Sequence, residues 1–164
     1  MSRLKGEVVV LVTAMALLYT SPGRLLCAEN TSEPVRPCSQ SDLIGSWEMV
    51  GLKTSIAVDE DDPFFFKYQR FEFREDGHIR HMTSNKPFTD VAEGIMEAGP
   101  ALVTFAIDEP GVLVIRNPSF PRPVYSLCGY ILSKMIPSDQ PGDILLTDYG
   151  KDGKLAFQRH LRKR

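Results

Sequence analysis

Apolar positions alternate with polar ones, or form short apolar runs, in eight segments between residues 43 and 162. Most segments end at glycine, proline or aspartate, which are typical turn residues. The clearest turn is Glu75-Asp76-Gly77, a strong hairpin signal between the second and third segments. The pattern predicts strands over residues 43–58, 64–74, 78–83, 101–107, 112–117, 124–136, 143–149 and 154–162.

Short strands joined mostly by tight turns predict an all-β fold, an eight-stranded antiparallel up-and-down barrel. Closing the sheet removes its unpaired edges, and eight strands leave room for core side chains or one small ligand. A sandwich of two sheets is the alternative. A short helix is predicted over residues 90–97, and no boundary indicates a second domain.

The N-terminus has the layout of a secretory signal peptide. Arg3 and Lys5 precede an apolar run over residues 8–18, and a Pro-Gly pair follows. The run is too short to span a bilayer, which needs about 20 apolar residues. We predict a signal peptide over residues 1–28, a polar tail over 29–40 and the barrel domain over 41–164. Cleavage after Gly23 is the alternative.

Composition is that of an ordinary globular domain, with 43% hydrophobic and 24% charged residues. The net charge is −2, and it becomes about −4 for residues 29–164, whereas a nucleic-acid-binding domain is normally basic. Two cysteines, Cys38 and Cys128, remain after cleavage. In an exported chain they predict a disulfide bond, and two unconnected thiols are the alternative. The predicted location is periplasmic or secreted.

The two ends of the predicted barrel resemble the lipocalin family and the wider calycin group, particularly the small bacterial lipocalin-like type. The first strand opens with Gly45-Ser46-Trp47, a Gly-x-Trp motif, and the last strand contains Arg159. The resemblance implies that the first-strand tryptophan packs against this arginine and closes the barrel, so Gly45, Trp47 and Arg159 have structural roles. Typical lipocalins carry a helix after the barrel, and this chain ends at Arg164.

Motifs of common enzyme active sites are missing from the sequence: there is no Gly-x-Ser-x-Gly, no His-Glu-x-x-His, no glycine-rich phosphate loop and no Cys-x-x-Cys. His78 and Met82 share one face of their predicted strand and are weak candidates for a copper site, whereas His81 lies alone on the other face. We therefore predict a protein without catalytic residues, metal or cofactor.

Aromatic side chains crowd the second predicted strand, at positions 64–66, 68, 71 and 73. Positions 64, 66 and 68 would share one face of this strand and positions 71 and 73 the other face. A bulge near Gln69 would place both groups on one face. Inward-facing aromatic and methionine side chains offer adaptable contact area to an apolar guest. The candidate ligand-binding residues are Met49, Phe71, Phe73, Met82 and Tyr130.

Three classes of function agree with these patterns. A carrier of a small, mostly apolar ligand is the first, and an envelope protein-interaction module, such as an assembly factor or inhibitor, is the second. The second class requires an apolar patch outside the barrel, for which residues 64–66 are the candidates. The third, an enzyme, has no readable constellation of acid, base and nucleophile. Peripheral membrane contact through the basic residues 159–164 is a further hypothesis, and no nucleic-acid partner is expected.

Overall fold

The computed structural model describes residues 33–89 and 102–164. The predicted signal peptide and the predicted helix over 90–97 lie outside these residues. The described chain contains one four-residue helix, α1 (Gln40–Leu43), one short 3-10 helix (Pro63–Phe65) and nine strands. The strands are β1 (Val35–Pro37), β2 (Gly45–Thr54), β3 (Tyr68–Phe73), β4 (Ile79–Ser84), β5 (Thr104–Glu109), β6 (Val112–Arg116), β7 (Val124–Ile131), β8 (Ile144–Tyr149) and β9 (Leu155–Lys163).

Eight of the strands form one antiparallel sheet in the order β4-β3-β2-β9-β8-β7-β6-β5, so the first long strand pairs with the last. The two end strands of this order meet at an isolated bridge between His78 and Thr104. Two backbone hydrogen bonds reinforce the contact, from Ile79 to Val103 and from Phe105 to Gly77, each 2.9 Å long. The sheet is therefore curled and barrel-like, which confirms the predicted eight-stranded antiparallel fold.

The predicted strands lie close to the observed ones, with two informative differences. Residues 64–66 are not in a strand, because Asp62 accepts a hydrogen bond from the backbone of Phe64 and caps the 3-10 helix that begins at Pro63. The expected bulge near Gln69 does not form: β3 pairs with β4 in continuous register. The irregularity lies instead in β2, between Met49 and Gly51.

Inward-facing side chains fill one part of the barrel completely. Phe73, Leu113, Ile144 and Leu161 are at most 1% exposed, and they come from four different strands. Each occupies an alternate position of its strand, as the two-residue period requires. Burial of this apolar surface is the main source of stability.

A short N-terminal segment, β1 with α1, packs on the sheet and was not predicted as a strand. It pairs with β7, where Pro37 lies opposite Gly129. A β-carbon on Gly129 would come within 2.7 Å of the Val35 side chain, so the missing side chain allows the close approach.

A disulfide bond joins Cys38, directly after β1, to Cys128 in β7, as the sequence predicted. Both cysteines are buried in the core. Because disulfides persist in oxidising compartments, the bond indicates an oxidising, non-cytoplasmic setting.

The Asp42 carboxylate ties α1 to β1. It accepts two hydrogen bonds from the Arg36 guanidinium, at 2.7 and 2.8 Å, and others from Ser39. The bond from Arg36 is the largest influence and, against the opposing effect of burial, holds the pKa of Asp42 well below its usual range. A carboxyl group with a depressed folded-state pKa stabilises the fold above its unfolded-state pKa, near 3.9, and this stabilisation is lost as the pH falls.

We expect Asp42→Asn to destabilise the protein at pH 7, with the difference from the natural protein shrinking below about pH 4, where the Asp42 carboxyl group of the unfolded chain becomes protonated. Urea unfolding at pH 7, 4 and 2.5 measures this gap. Asp152→Asn is the control, since Asp152 is an exposed loop residue whose 3.5 Å contact with Lys154 is solvated. A gap for Asp42→Asn that is constant across the three pH values would contradict the expectation.

Candidate functional site

A cavity of about 410 Å³ lies beside the filled part of the barrel. Its walls come from the 3-10 helix, from β3, β4 and β6, and from the loop that leads into β7. Phe71 and Ile79 belong both to the core and to the cavity, so they separate the two. The lining residues are mostly apolar: Pro63, Phe64, Phe71, Ile79, His81, Thr83, Val103, Ile115, Asn117, Phe120 and Val124.

The 3-10 helix positions Phe64 at the cavity wall and over a buried cation. The Phe64 ring lies 4.1 Å from the guanidinium carbon of Arg159, and the Phe157 ring lies 4.6 Å from the same atom. Phe65 packs edge-on against both rings. Such contacts stabilise a cation that has left water.

Arg159 projects from the central strand β9 toward the interior and is only 5% exposed. Its Nε donates to Gln69 Oε1 at 3.0 Å, and its Nη2 donates to the Phe64 carbonyl at 2.8 Å. Among the described residues, no carboxylate lies within ion-pair distance of it. Burial lowers the pKa of Arg159 to about 10, and the more distant charge of Asp148 opposes this shift. The side chain remains a cation at neutral pH.

Asp148 is, like Arg159, a buried ionisable side chain of the barrel interior. Its Oδ1 accepts a 2.8 Å hydrogen bond from the hydroxyl of Ser126. Burial raises the pKa of Asp148, and the Ser126 bond and the charge of Arg159 act in the opposite direction. Asp148 lies opposite Phe157, whose ring contacts Arg159. The buried polar side chains near Arg159 therefore continue through Asp148 to Ser126 of β7.

His81 connects the buried polar side chains, through Gln69, to the cavity. Its ring stacks on Phe71, with 4.3 Å between the ring centres, and its Nε2 lies 3.2 Å from Gln69 Oε1. The residue remains exposed, and its ring lines the cavity. The protein atoms around the ring, together with the positive charge of Arg159, lower the pKa of His81. The imidazole is therefore neutral at physiological pH.

The five candidate ligand-binding residues occupy different places. Phe71 lines the cavity, and Phe73 is buried in the core. Met49 and Tyr130 are partly buried and pack against the core. Met82 is the exception: inward positions of β4 are Ile79, His81 and Thr83, so Met82 faces outward. The prediction of Met82 as an inward residue was wrong, because the parity of this strand is opposite to the one assumed.

The basic residue over Trp47 is not Arg159, as the resemblance implied, but Lys163. The ammonium group of Lys163 lies 5.7 Å from the centre of the Trp47 ring, and the two residues are cross-strand partners. Arg159 lies opposite Leu52, further along the same strand pair. Gly45 has φ +126°, and a β-carbon there would come within 2.9 Å of Lys163 Cε, so the glycine leaves space for the lysine.

Several basic residues at the C-terminus are engaged in the barrel. Arg162 donates two hydrogen bonds to the Asp143 carboxylate, and the Arg164 guanidinium lies 3.8 Å from the Glu48 carboxylate. Arg159 faces inward. The charges proposed for membrane contact thus have partners within the described fold.

In the described parts of the chain, no three His, Cys, Asp or Glu side chains are grouped so that they would hold a metal ion. His78 Nδ1 lies 3.2 Å from the Asp76 carboxylate. The described helices are also too short to cross a bilayer.

Comparisons of the chain with protein-family models, with curated proteins and with solved structures find no match. The candidate site is therefore defined by its own geometry: a mostly apolar cavity with the neutral His81 in its wall and the Arg159 cation behind it.

His81 and Gln69 were not predicted as site residues. Alternation placed His81 alone on one face of its strand, but only the pairing of β3 with β4 brings it to Gln69. Arg159 reaches Gln69 across 90 positions of sequence, and no local pattern signals that contact.

Proposed function

We propose that this chain is an exported lipocalin-like protein that binds a small, mostly apolar ligand in the periplasm or outside the cell. The observation that carries the proposal is the cavity of about 410 Å³ next to a fully packed core. Ligand sites are typically concave, mostly apolar and about 300–1,000 Å³ in volume. Binding without chemical conversion is the activity that these walls support.

The location is supported by two independent features. The disulfide bond between Cys38 and Cys128 is typical of proteins in an oxidising setting. The basic and apolar layout of the first residues is typical of a secretory signal. A carrier outside the cytoplasm would meet apolar molecules in an aqueous space, where an apolar cavity lowers the free energy of the guest.

A purely apolar fluorescent probe tests the cavity itself. We expect diphenylhexatriene, which fluoresces strongly only in apolar surroundings, to bind with about 1:1 stoichiometry. Val124→Trp should weaken binding at least tenfold because the indole fills the cavity mouth. Tyr125→Trp is the matched control: the next residue along β7 is 60% exposed and points away from the cavity.

Saturable binding that only Val124→Trp reduces is the expected result. No increase in probe fluorescence, or equal weakening by both variants, would contradict the carrier proposal and favour the protein-interaction module. Of the residues first considered for that module, Phe64 and Phe65 pack against Phe157, and Phe64 remains 40% exposed.

A further inference from the structure

We infer that the cavity selects an apolar ligand carrying an uncharged hydrogen-bond donor, such as a hydroxyl group, which donates to His81 Nδ1. The inference rests on the proposed binding function and specifies the polar group of the ligand. It follows from a chain of three side chains, Arg159, Gln69 and His81, in which the orientation of each fixes the next.

The Gln69 amide has a single allowed orientation. Its Nε2 donates to two backbone carbonyls, those of Phe64 and Phe66, each at 2.9 Å. Its Oε1 accepts from Arg159 Nε, an obligate donor, at 3.0 Å. Rotating the amide by 180° would place oxygen against two carbonyls and N–H groups against the guanidinium. Gln69 is also only 1% exposed, so water does not compensate for such a rotation.

This orientation fixes the tautomer of His81. Since Gln69 directs its carbonyl oxygen at His81 Nε2 over 3.2 Å, the hydrogen of the neutral ring resides on Nε2. The other nitrogen, Nδ1, then carries a lone pair and accepts hydrogen bonds. Within the described chain, Nδ1 has no hydrogen-bond partner, and the ring to which it belongs lines the cavity.

The remaining polar groups of the lining are compatible with a hydroxyl group. Thr83 donates and accepts equally well. The side-chain oxygen of Asn117 accepts from the backbone N–H of Ser119, which leaves its amide N–H groups as donors, and a hydroxyl oxygen is an acceptor for them. The Arg159 cation disfavours a positively charged ligand. Two of its N–H groups donate to Gln69 and Phe64, aromatic rings cover its face, and it is not among the residues that line the cavity, so it is not presented to a carboxylate there.

Three ligands with one ring system test the inference: naphthalene, 2-naphthol and 2-naphthoate, each measured by displacement of diphenylhexatriene. A neutral hydrogen bond makes 2-naphthol bind about three- to tenfold more tightly than naphthalene. We expect 2-naphthoate to bind no better than naphthalene. Equal affinities of naphthalene and 2-naphthol, or the tightest binding by 2-naphthoate, would overturn the inference. If diphenylhexatriene itself does not bind, the proposed function fails instead.

His81→Phe keeps an aromatic ring beside Phe71 and removes the acceptor, so the ratio of 2-naphthol to naphthalene affinity should fall to about one. The control is His78→Phe, the same change at a histidine that does not line the cavity, where the ratio should persist. Nitrogen NMR of the unaltered protein gives a second readout that requires no variant. We expect Nδ1 of His81 to be unprotonated and Nε2 protonated, with the Nδ1 signal shifting on addition of 2-naphthol. A protonated Nδ1 would overturn the inference.

Discussion

Trp47→Ala is expected to lower the free energy of unfolding by about 3–5 kcal/mol, the usual cost of emptying a large buried aromatic site. The Trp47 side chain is 1% exposed and lies in the core with Phe71, its cross-strand partner. Its Nε1 donates a hydrogen bond to the Leu43 carbonyl, so α1 is attached to the sheet through this ring. Alanine leaves a cavity and an unsatisfied carbonyl at the same place.

Urea unfolding followed by far-ultraviolet circular dichroism measures this loss, because Trp47 is the only tryptophan and its fluorescence disappears with it. Trp47→Phe is the control: it keeps most of the apolar volume, loses the hydrogen bond, and should cost clearly less. A cost below about 1 kcal/mol for Trp47→Ala would mean that the site is not packed as the structure shows.

The coupling of Trp47 to basic residues distinguishes the observed contact from the one that the resemblance implied. Contacting residues give non-additive stability changes, and separated ones give additive changes. In double-mutant cycles with alanine, we therefore expect non-additive stability changes for Trp47 with Lys163 and additive changes for Trp47 with Arg159. Lys163 is its cross-strand partner, whereas Arg159 pairs with Leu52.

The strand positions were predictable from sequence because alternation and turn residues are local signals. Turns such as Glu75-Asp76-Gly77 lie where they were predicted, and each of the strands β2 to β9 overlaps one of the eight predicted strands. β1 was missed because it has only three residues, one of them proline, and shows no alternation. Its pairing depends on β7, some 90 residues further along the chain.

The face of the sheet on which each side chain lies was less predictable, because a shift of one residue moves all the side chains of a strand to the opposite face. Residues 64–66 were assigned to the second strand, and a bulge was then needed to bring all its aromatic side chains to one side. The structure needs none, since Phe64 and Phe65 belong to a 3-10 helix capped by Asp62. For the same reason Met82 was placed inside and His81 was not considered as a binding residue.

The polar chain behind the cavity could not be predicted, because each of its contacts joins different elements. Gln69, His81 and Arg159 come from β3, β4 and β9, and their orientations depend on carbonyls of the 3-10 helix. The sequence singled out Arg159 through a motif, but its role differs: it supports the cavity wall rather than covering Trp47.

Loss of the Cys38–Cys128 bond should lower the free energy of unfolding by about 4–5 kcal/mol, because the bond closes a loop with a sequence separation of 90 residues and so restricts the unfolded chain. The native fold itself should persist. The backbone N–H of Cys38 donates to the Cys128 carbonyl, and that of Gly111 donates to the Cys38 carbonyl, so the segment stays attached without the bond.

Two perturbations separate the loop constraint from packing. Chemical reduction opens the bond and keeps both sulfur atoms, whereas Cys38→Ala with Cys128→Ala also removes buried volume from the core. If restriction of the unfolded chain dominates, urea unfolding gives nearly the same loss for both, and far-ultraviolet circular dichroism of the folded proteins is unchanged. Stability within about 1 kcal/mol of the oxidised protein in both cases would contradict the loop argument, since a closure of this length has a much larger expected effect.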